Sequence, residues 1–157
     1  MTSHRFFDDE GFEFLALITL GGAPYRLAET GEVFATCDRI TDGDCDSWFD
    51  EWMATAHRVC GIADAAAAAG HDVSARDTFL RAANYAGTAF FYVLATSDPS
   101  RSLATWRWHR ECFDAAMQRW STPVEKITIP YEDTPLHGYF FSGGDGRRPT
   151  VILNNGS

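Results

Sequence analysis

Residues 149–157 read PTVILNNGS, a short apolar and β-branched run that gives way to Asn-Asn-Gly-Ser. The run predicts a strand from Thr150 to Leu153 that is buried on both faces, as in the middle of a parallel sheet. A strand of this kind requires neighbouring strands on both edges and helices above and below it. Since the sequence places none of these after it, we expect the chain to be the front part of a larger protein.

The composition is typical of an acidic globular protein. Of the 157 residues, 45% are hydrophobic and 22% charged, which is sufficient for one sizeable core. The net charge is −9 and the only basic cluster is Arg147-Arg148, so we expect no nucleic-acid partner. The sequence shows no signal peptide and no apolar stretch near the ~20 residues that span a bilayer. We therefore expect a cytoplasmic protein without a membrane partner, whose cysteines are reduced: Cys37, Cys45, Cys60 and Cys112.

Helical patterns fill the chain as far as residue 121. Apolar residues recur at three- and four-residue spacing, and Gly, Asp and Pro mark the helix ends. Ser74 with Asp77 resembles a capping box, and Asp98-Pro99 marks a restart. The predicted helices cover residues 9–20, 24–40 (irregular), 47–69, 74–94 and 98–120. Three of them in succession, joined by short connections, predict a helical bundle.

The pattern changes after residue 121. Apolar residues alternate with a period of two over residues 124–131, and residues 136–141 read as a second strand after a short turn. With the strand at residues 150–153 these make three predicted strands. The sequence thus divides into a helical region, residues 1–121, and the start of a sheet domain, residues 122–157.

Two repeated His-x-x-Cys pairs form a candidate metal-ligand pattern. His57 with Cys60 and His109 with Cys112 each share a helix face, so the two pairs could together hold a tetrahedral Zn²⁺. Buried, unliganded thiols are the interpretation we favour, because unpaired Cys is among the most buried residue types. We expect no metal and no cofactor.

Three further patterns are better explained by structural roles than by a functional site. Asp42-x-Asp44-x-Asp46 begins like a calcium loop but lacks the Gly and Glu that the loop requires, so helix capping explains it better. Residues 143–146, GGDG, precede a strand rather than a helix and predict a surface turn. Polar residues on or near apolar helical faces are expected to form an internal hydrogen-bond network rather than to bind substrate: Asn84, Arg107 and Arg110.

The order of these elements resembles a known family. Residues 131–140, YEDTPLHGYF, and 150–156, TVILNNG, resemble the first strands of an α/β-hydrolase. The helical stretches 79–85, FLRAANY, and 108–113, WHRECF, are similar to the N-terminal region of the fermentation–respiration switch protein and 2,6-dihydropseudooxynicotine hydrolase group, which also carries dipeptidyl-aminopeptidase and acylaminoacyl-peptidase-like labels. The resemblance covers nearly the whole chain.

The resemblance implies which parts of the active site this chain contains. In the family, the loop after the third strand supplies an oxyanion-hole N–H, and the serine nucleophile, acid and His lie later in the chain. No Gly-x-Ser-x-Gly occurs in this sequence, so the chain alone is expected to be inactive. The expected partners are a small-molecule substrate of the full-length enzyme, the missing C-terminal catalytic portion and a second copy in a homodimer. The residues that match the oxyanion loop are Asn154, Asn155, Gly156 and Ser157.

Two alternatives remain open at this stage. The chain could be a complete non-enzymatic helical module for binding or dimerisation, which would be monodisperse and melt cooperatively. A fragment would instead expose Val151, Ile152 and Leu153 and aggregate. A metal-binding bundle is the third interpretation, and it predicts loss of stability with a chelator.

Overall fold

The computed structural model describes residues 5–154 and divides into two compact units, with the division between Arg119 and Trp120. The described part of the first unit contains five α-helices and three short 3-10 turns. The turns are Ala23–Tyr25, Val93–Ala95 and Pro99–Arg101. The helices are α1 (Glu10–Gly21), α2 (Thr30–Cys37), α3 (Cys45–Ala68), α4 (Asp72–Phe90) and α5 (Ser102–Met117).

Aspartates begin three of these elements, as the sequence predicts. The Asp9 carboxylate accepts a hydrogen bond from the Phe12 amide at the start of α1. Asp44 accepts from the amides of Asp46 and Ser47 at the start of α3, and Asp98 accepts from Ser100 before α5. These side chains satisfy amides that have no partner within the helix. Helix α3 begins two residues earlier than predicted because its cap is Asp44 rather than a later residue.

The predicted capping box at Ser74 and Asp77 is wrong. Gly70, with φ of 75°, ends α3 in a Schellman motif, in which the amides of Gly70 and His71 donate to the carbonyls of Ala67 and Ala66. The chain then re-enters a helix at once, so α4 starts at Asp72 without a side-chain cap. Asp77 lies inside α4 and pairs with arginines instead. The irregular helix predicted over residues 24–40 is two elements, the 3-10 turn Ala23–Tyr25 and α2.

Helix α4 packs against both α3 and α5. Its buried face consists mostly of alanines, which allow close approach of the neighbouring helices. Trp48 and Trp52 of α3 are fully buried and contact one another, with ring centroids 5.8 Å apart. Aromatic rings from the N-terminal segment and α1 extend this core: Phe7 and Phe12 both pack on Trp48.

Buried threonine pairs link the helices. Thr19 of α1 and Thr88 of α4 have hydroxyl oxygens 2.9 Å apart, and Thr36 of α2 and Thr55 of α3 are 2.7 Å apart. The Trp48 indole N–H also donates to the Thr88 carbonyl at 2.9 Å. Each pair lets one hydroxyl donate to the other, so the polar groups are satisfied inside the core.

The second unit contains an antiparallel hairpin, β1 (Val124–Tyr131) and β2 (Thr134–Phe141). The two strands pair in full, from Val124 with Phe141 to Tyr131 with Thr134, which confirms the predicted strand pair. The two-residue turn holds Glu132 at φ of 47°.

The third predicted strand is not confirmed. Residues 150–154 have no regular secondary structure, and Val151, Ile152 and Leu153 are 80%, 87% and 91% exposed. A strand exists only through ladder hydrogen bonds to a neighbour, and the described residues provide no third strand for it to pair with. The fold is therefore mostly helical, with one two-stranded sheet.

Candidate functional site

Helices α3 and α5 face each other with a constant offset in sequence. Phe49 contacts Arg101, His57 contacts Trp108, and Cys60 contacts Cys112, so partners lie 51 or 52 residues apart. The contacts extend over about three turns of α3, and their nearly constant offset shows that the two helices run parallel. The first two of these contacts line an open groove.

The groove has a volume of about 330 Å³. This volume lies at the lower end of the range for small-molecule sites, roughly 300–1,000 Å³. Its lining is largely apolar and includes two ionisable side chains, His57 and Arg101. A mostly apolar lining suits an apolar group of a ligand. The lining residues are Phe49, Met53, His57, Arg101, Ala104, Thr105 and Trp108.

The positive charge of Arg101 is already paired with two carboxylates. Its guanidinium lies 2.8 Å from carboxylate oxygens of both Asp46 and Asp50 and sits 4.1 Å above the Phe49 ring. The Ser97 amide donates to Asp46, and this hydrogen bond, aided by Arg101, lowers the pKa of Asp46. With two acids already opposite it, Arg101 supports the helix junction rather than an anionic ligand.

His57 lies at the exposed edge of the groove, with its ring edge-on to Trp108 at a centroid distance of 4.4 Å. Among residues 5–154, no hydroxyl, thiol or carboxylate hydrogen-bonds to it. A nucleophile and its base have to lie within hydrogen-bond reach of each other. The groove as described offers a binding surface and no activated nucleophile.

The four metal candidates do not converge. Cys60 and Cys112 are in contact, with sulfur atoms 3.7 Å apart, but Nδ1 of His109 lies 2.8 Å from the Ala83 carbonyl of α4. His57 faces Trp108. The described chain holds no group of three or more His, Cys, Asp or Glu side chains that could bind a metal.

A buried polar network joins α2 to α4, and the sequence analysis missed it. The Tyr85 hydroxyl donates to a Glu32 carboxylate oxygen at 2.9 Å and accepts from the Glu29 amide at 2.9 Å. Arg81 lies 3.0 Å from the same Glu32 oxygen. Burial, with the nearby Glu32 carboxylate adding to it, raises the pKa of Tyr85. The one sequence signal was a tyrosine among the buried alanines of α4, since a buried Tyr hydroxyl requires a partner.

The three polar residues singled out in the sequence have separate environments. The Asn84 amide nitrogen donates to the Leu27 carbonyl at 2.9 Å, which is an internal hydrogen bond of the predicted kind. Arg110 lies 5.2 Å above the Trp106 ring, and Arg107 is exposed. The internal network predicted for Arg107 is therefore not confirmed, because this side chain is exposed.

The aspartates of residues 42–46 accept hydrogen bonds from backbone amides at helix ends and in loops. Asp42 accepts from the amides of Asp8 and Asp9, at 2.7 and 3.2 Å, while Asp44 caps α3. The carboxylates are therefore occupied by backbone donors, as helix capping predicts.

The oxyanion-loop candidates lie in the second unit. Asn154 is exposed and has no regular secondary structure. Asn155, Gly156 and Ser157 lie outside the described residues, so their role stays a prediction.

Comparison with known proteins gives relatives named as hydrolases, although no family model matches the chain. Hydrolase LUC6 from Fusarium sp is 37% identical over 98% of the chain. The 20-hydroxy-prefusarin hydrolase FUS2 from Gibberella moniliformis is 32% identical over 98%, and the alpha/beta hydrolase psoB from Aspergillus fumigatus is 32% identical over 99%.

These similarities support a hydrolase family for the chain. The chain spans 38% of the length of the first and second of these relatives and 37% of the third. None of the helices among residues 5–154 is long and apolar enough to cross a membrane.

Proposed function

We propose that the chain is the helical N-terminal region and the first strands of a serine-dependent α/β-hydrolase of the fermentation–respiration switch protein and 2,6-dihydropseudooxynicotine hydrolase group. The enzyme would act on an ester, amide or carbon–carbon bond of a small molecule in the cytoplasm. The observation that carries the proposal is the 37% identity with Hydrolase LUC6 along 98% of the chain. A mostly helical unit followed by an antiparallel hairpin is consistent with it.

The catalytic groups are assigned to sequence outside these 157 residues. A serine hydrolase needs a nucleophile on a Gly-x-Ser-x-Gly elbow, and the sequence has none. An amide of the loop at Asn154, Asn155, Gly156 or Ser157 would stabilise the oxyanion, but one or two amides cannot replace a nucleophile and its base. The chain by itself is therefore inactive in this proposal.

The groove between α3 and α5 is the surface that this proposal assigns to the apolar part of a substrate. It is lined by Phe49, Met53 and Trp108, and Arg101 is already neutralised by two aspartates. An uncharged, apolar group therefore fits the groove better than a carboxylate or phosphate.

Labelling of the native protein with a fluorophosphonate tests the proposal. The protein is captured from the cells that make it, its intact mass is measured, and the labelled peptide is sequenced. We expect a mass well above 17.4 kDa and a label on serine within Gly-x-Ser-x-Gly. The 157-residue chain is the matched control and takes up no label.

A non-enzymatic helical module is the second candidate, and one observation favours it. Helix α1 exposes Phe14, Leu17 and Ile18 at 62%, 48% and 55%, an apolar face of the kind that a partner or a second copy covers. A native mass of 17.4 kDa together with no labelled serine would overturn the hydrolase proposal in favour of this one.

A further inference from the structure

Two cysteines meet at one end of the groove. Cys60 of α3 and Cys112 of α5 have sulfur atoms 3.7 Å apart. They follow His57 and Trp108 by three and four residues, so they lie about one helical turn beyond the last ring pair of the groove. Cys60 is partly exposed, whereas Cys112 is only 4% exposed.

We propose that Cys60 and Cys112 form a reversible disulfide that cross-links α3 to α5 and fixes the width of the groove at this end. The sulfur atoms have to approach each other by about 1.7 Å to reach a disulfide length of ~2.05 Å. Both residues sit inside long helices that α4 already holds side by side. We therefore expect the pairing to require adjustment of side chains rather than a rearrangement of the fold.

The proposed oxidant is a low-molecular-weight disulfide such as oxidised glutathione. The more accessible Cys60 thiolate attacks one sulfur of the oxidant, whose S–S bond breaks and releases a first thiol. Cys112 then loses its proton to solvent and attacks Cys60 Sγ, which expels the second thiol. The protein loses two protons and two electrons, and the oxidant is reduced to two thiols.

The environment of the pair disfavours the thiolates, and the carboxylate of Asp64 lies 4.0 Å from the Cys60 sulfur. Burial raises the pKa of the Cys60 thiol, and burial together with the nearby Cys60 raises that of Cys112. The thiolate is the nucleophile, so the rate of cross-linking rises with pH, by about tenfold per unit while the pH is below the pKa.

The other two cysteines, Cys37 and Cys45, are not expected to form a disulfide, and Cys45 serves as the control position for mutation. Cys37 is 4% exposed, and burial raises its pKa to about 12. Cys45 is partly exposed at the start of α3. In the structure neither sulfur contacts another cysteine sulfur, so oxidation within one chain should give a single product.

The experiment uses the folded 157-residue chain, incubated at pH 8 with oxidised or reduced glutathione. Free thiols are then alkylated and the chain is digested without reduction. We expect one disulfide-linked peptide pair, containing Cys60 and Cys112, which disappears after dithiothreitol. The oxidised chain should also melt at a higher temperature than the reduced chain, because the cross-link closes a long loop.

Variants separate this cross-link from other oxidation. Cys60→Ser and Cys112→Ser should each abolish the linked peptides and the rise in melting temperature, and Cys45→Ser should retain both. Separate glutathione adducts on Cys60 and Cys112 at equilibrium, or both thiols fully alkylated, would overturn the proposal. Peptide mapping of the unmodified chain decides the matter even if a serine variant fails to fold.

Discussion

The Tyr85 hydroxyl offers the sharpest test of how the helical unit is held together. The side chain is fully buried, and its ring packs on Trp52 with centroids 5.5 Å apart. Tyr85→Phe keeps that ring contact and removes two hydrogen bonds, one to the Glu32 carboxylate and one from the Glu29 amide. The variant therefore isolates the polar link between α2 and α4.

The structure sets the size of the effect. A hydrogen bond to a charged acceptor contributes about 1.5–3 kcal/mol to stability, and an amide left without an acceptor adds about 1 kcal/mol when buried. Arg81, which lies 3.0 Å from Glu32, still compensates the carboxylate and limits the loss. We expect Tyr85→Phe to lower the free energy of unfolding by about 2–3 kcal/mol.

Urea unfolding followed by tryptophan fluorescence measures this loss. Four of the five tryptophans belong to the helical unit, so the signal reports on it. Tyr25→Phe is the matched control, because Tyr25 is 76% exposed, and it should change the free energy of unfolding by less than about 0.5 kcal/mol. A double-mutant cycle with Glu32→Gln should give a coupling of at least about 1 kcal/mol.

Two results would refute the reasoning. Equal losses in Tyr85→Phe and Tyr25→Phe would mean that the buried hydroxyl contributes no net stability. Additive losses in Tyr85→Phe and Glu32→Gln would mean that the two groups do not interact in solution.

The remaining predictions concern the start of α3, where Asp46 pairs with Arg101 just before α5. Asp44→Ala should lower the free energy of unfolding by about 1 kcal/mol through loss of the cap on α3, and Asp44→Asn should retain most of it, as urea unfolding would reveal. Equal effects of both substitutions would argue against capping. Because the pKa of Asp46 is lowered in the folded state, its contribution is present above its ordinary value of 3.8 and is lost as the pH falls below it. Asp46→Asn should therefore be less stable than the unsubstituted chain at pH 6, with the difference shrinking towards pH 3, and a constant difference in thermal melts would contradict this.

The helices and the hairpin could be predicted because their signals are local. Asp9 and Asp98 cap neighbouring amides, Gly70 adopts the positive φ that ends α3, and the alternation over residues 124–131 matches one strand. The capping box at Ser74 failed because such a motif is only one way to begin a helix. Because α3 ends in a tight turn at Gly70, α4 begins already at Asp72, two residues before Ser74.

The groove and the polar network could not be predicted, since they depend on contacts between distant residues. Trp52 reads as a member of an apolar stripe, and nothing in such a stripe shows which ring faces which helix. The strand at residues 150–153 failed for a related reason. Its apolar residues describe a suitable strand, but a strand forms only where a neighbour supplies the hydrogen bonds.

The repeated His-x-x-Cys spacing shows how helix geometry decides between a metal site and a dithiol. Three residues turn an α-helix through about 300°, so each His is rotated about 60° from the face of its Cys. Helices α3 and α5 are parallel and face each other, so the same rotation carries the two histidines to opposite sides of the contact. His57 accordingly lies at the exposed edge beside Trp108, while His109 turns to the Ala83 carbonyl of α4. Two in-register cysteines can therefore meet, whereas the four side chains cannot converge on one ion unless a helix rotates.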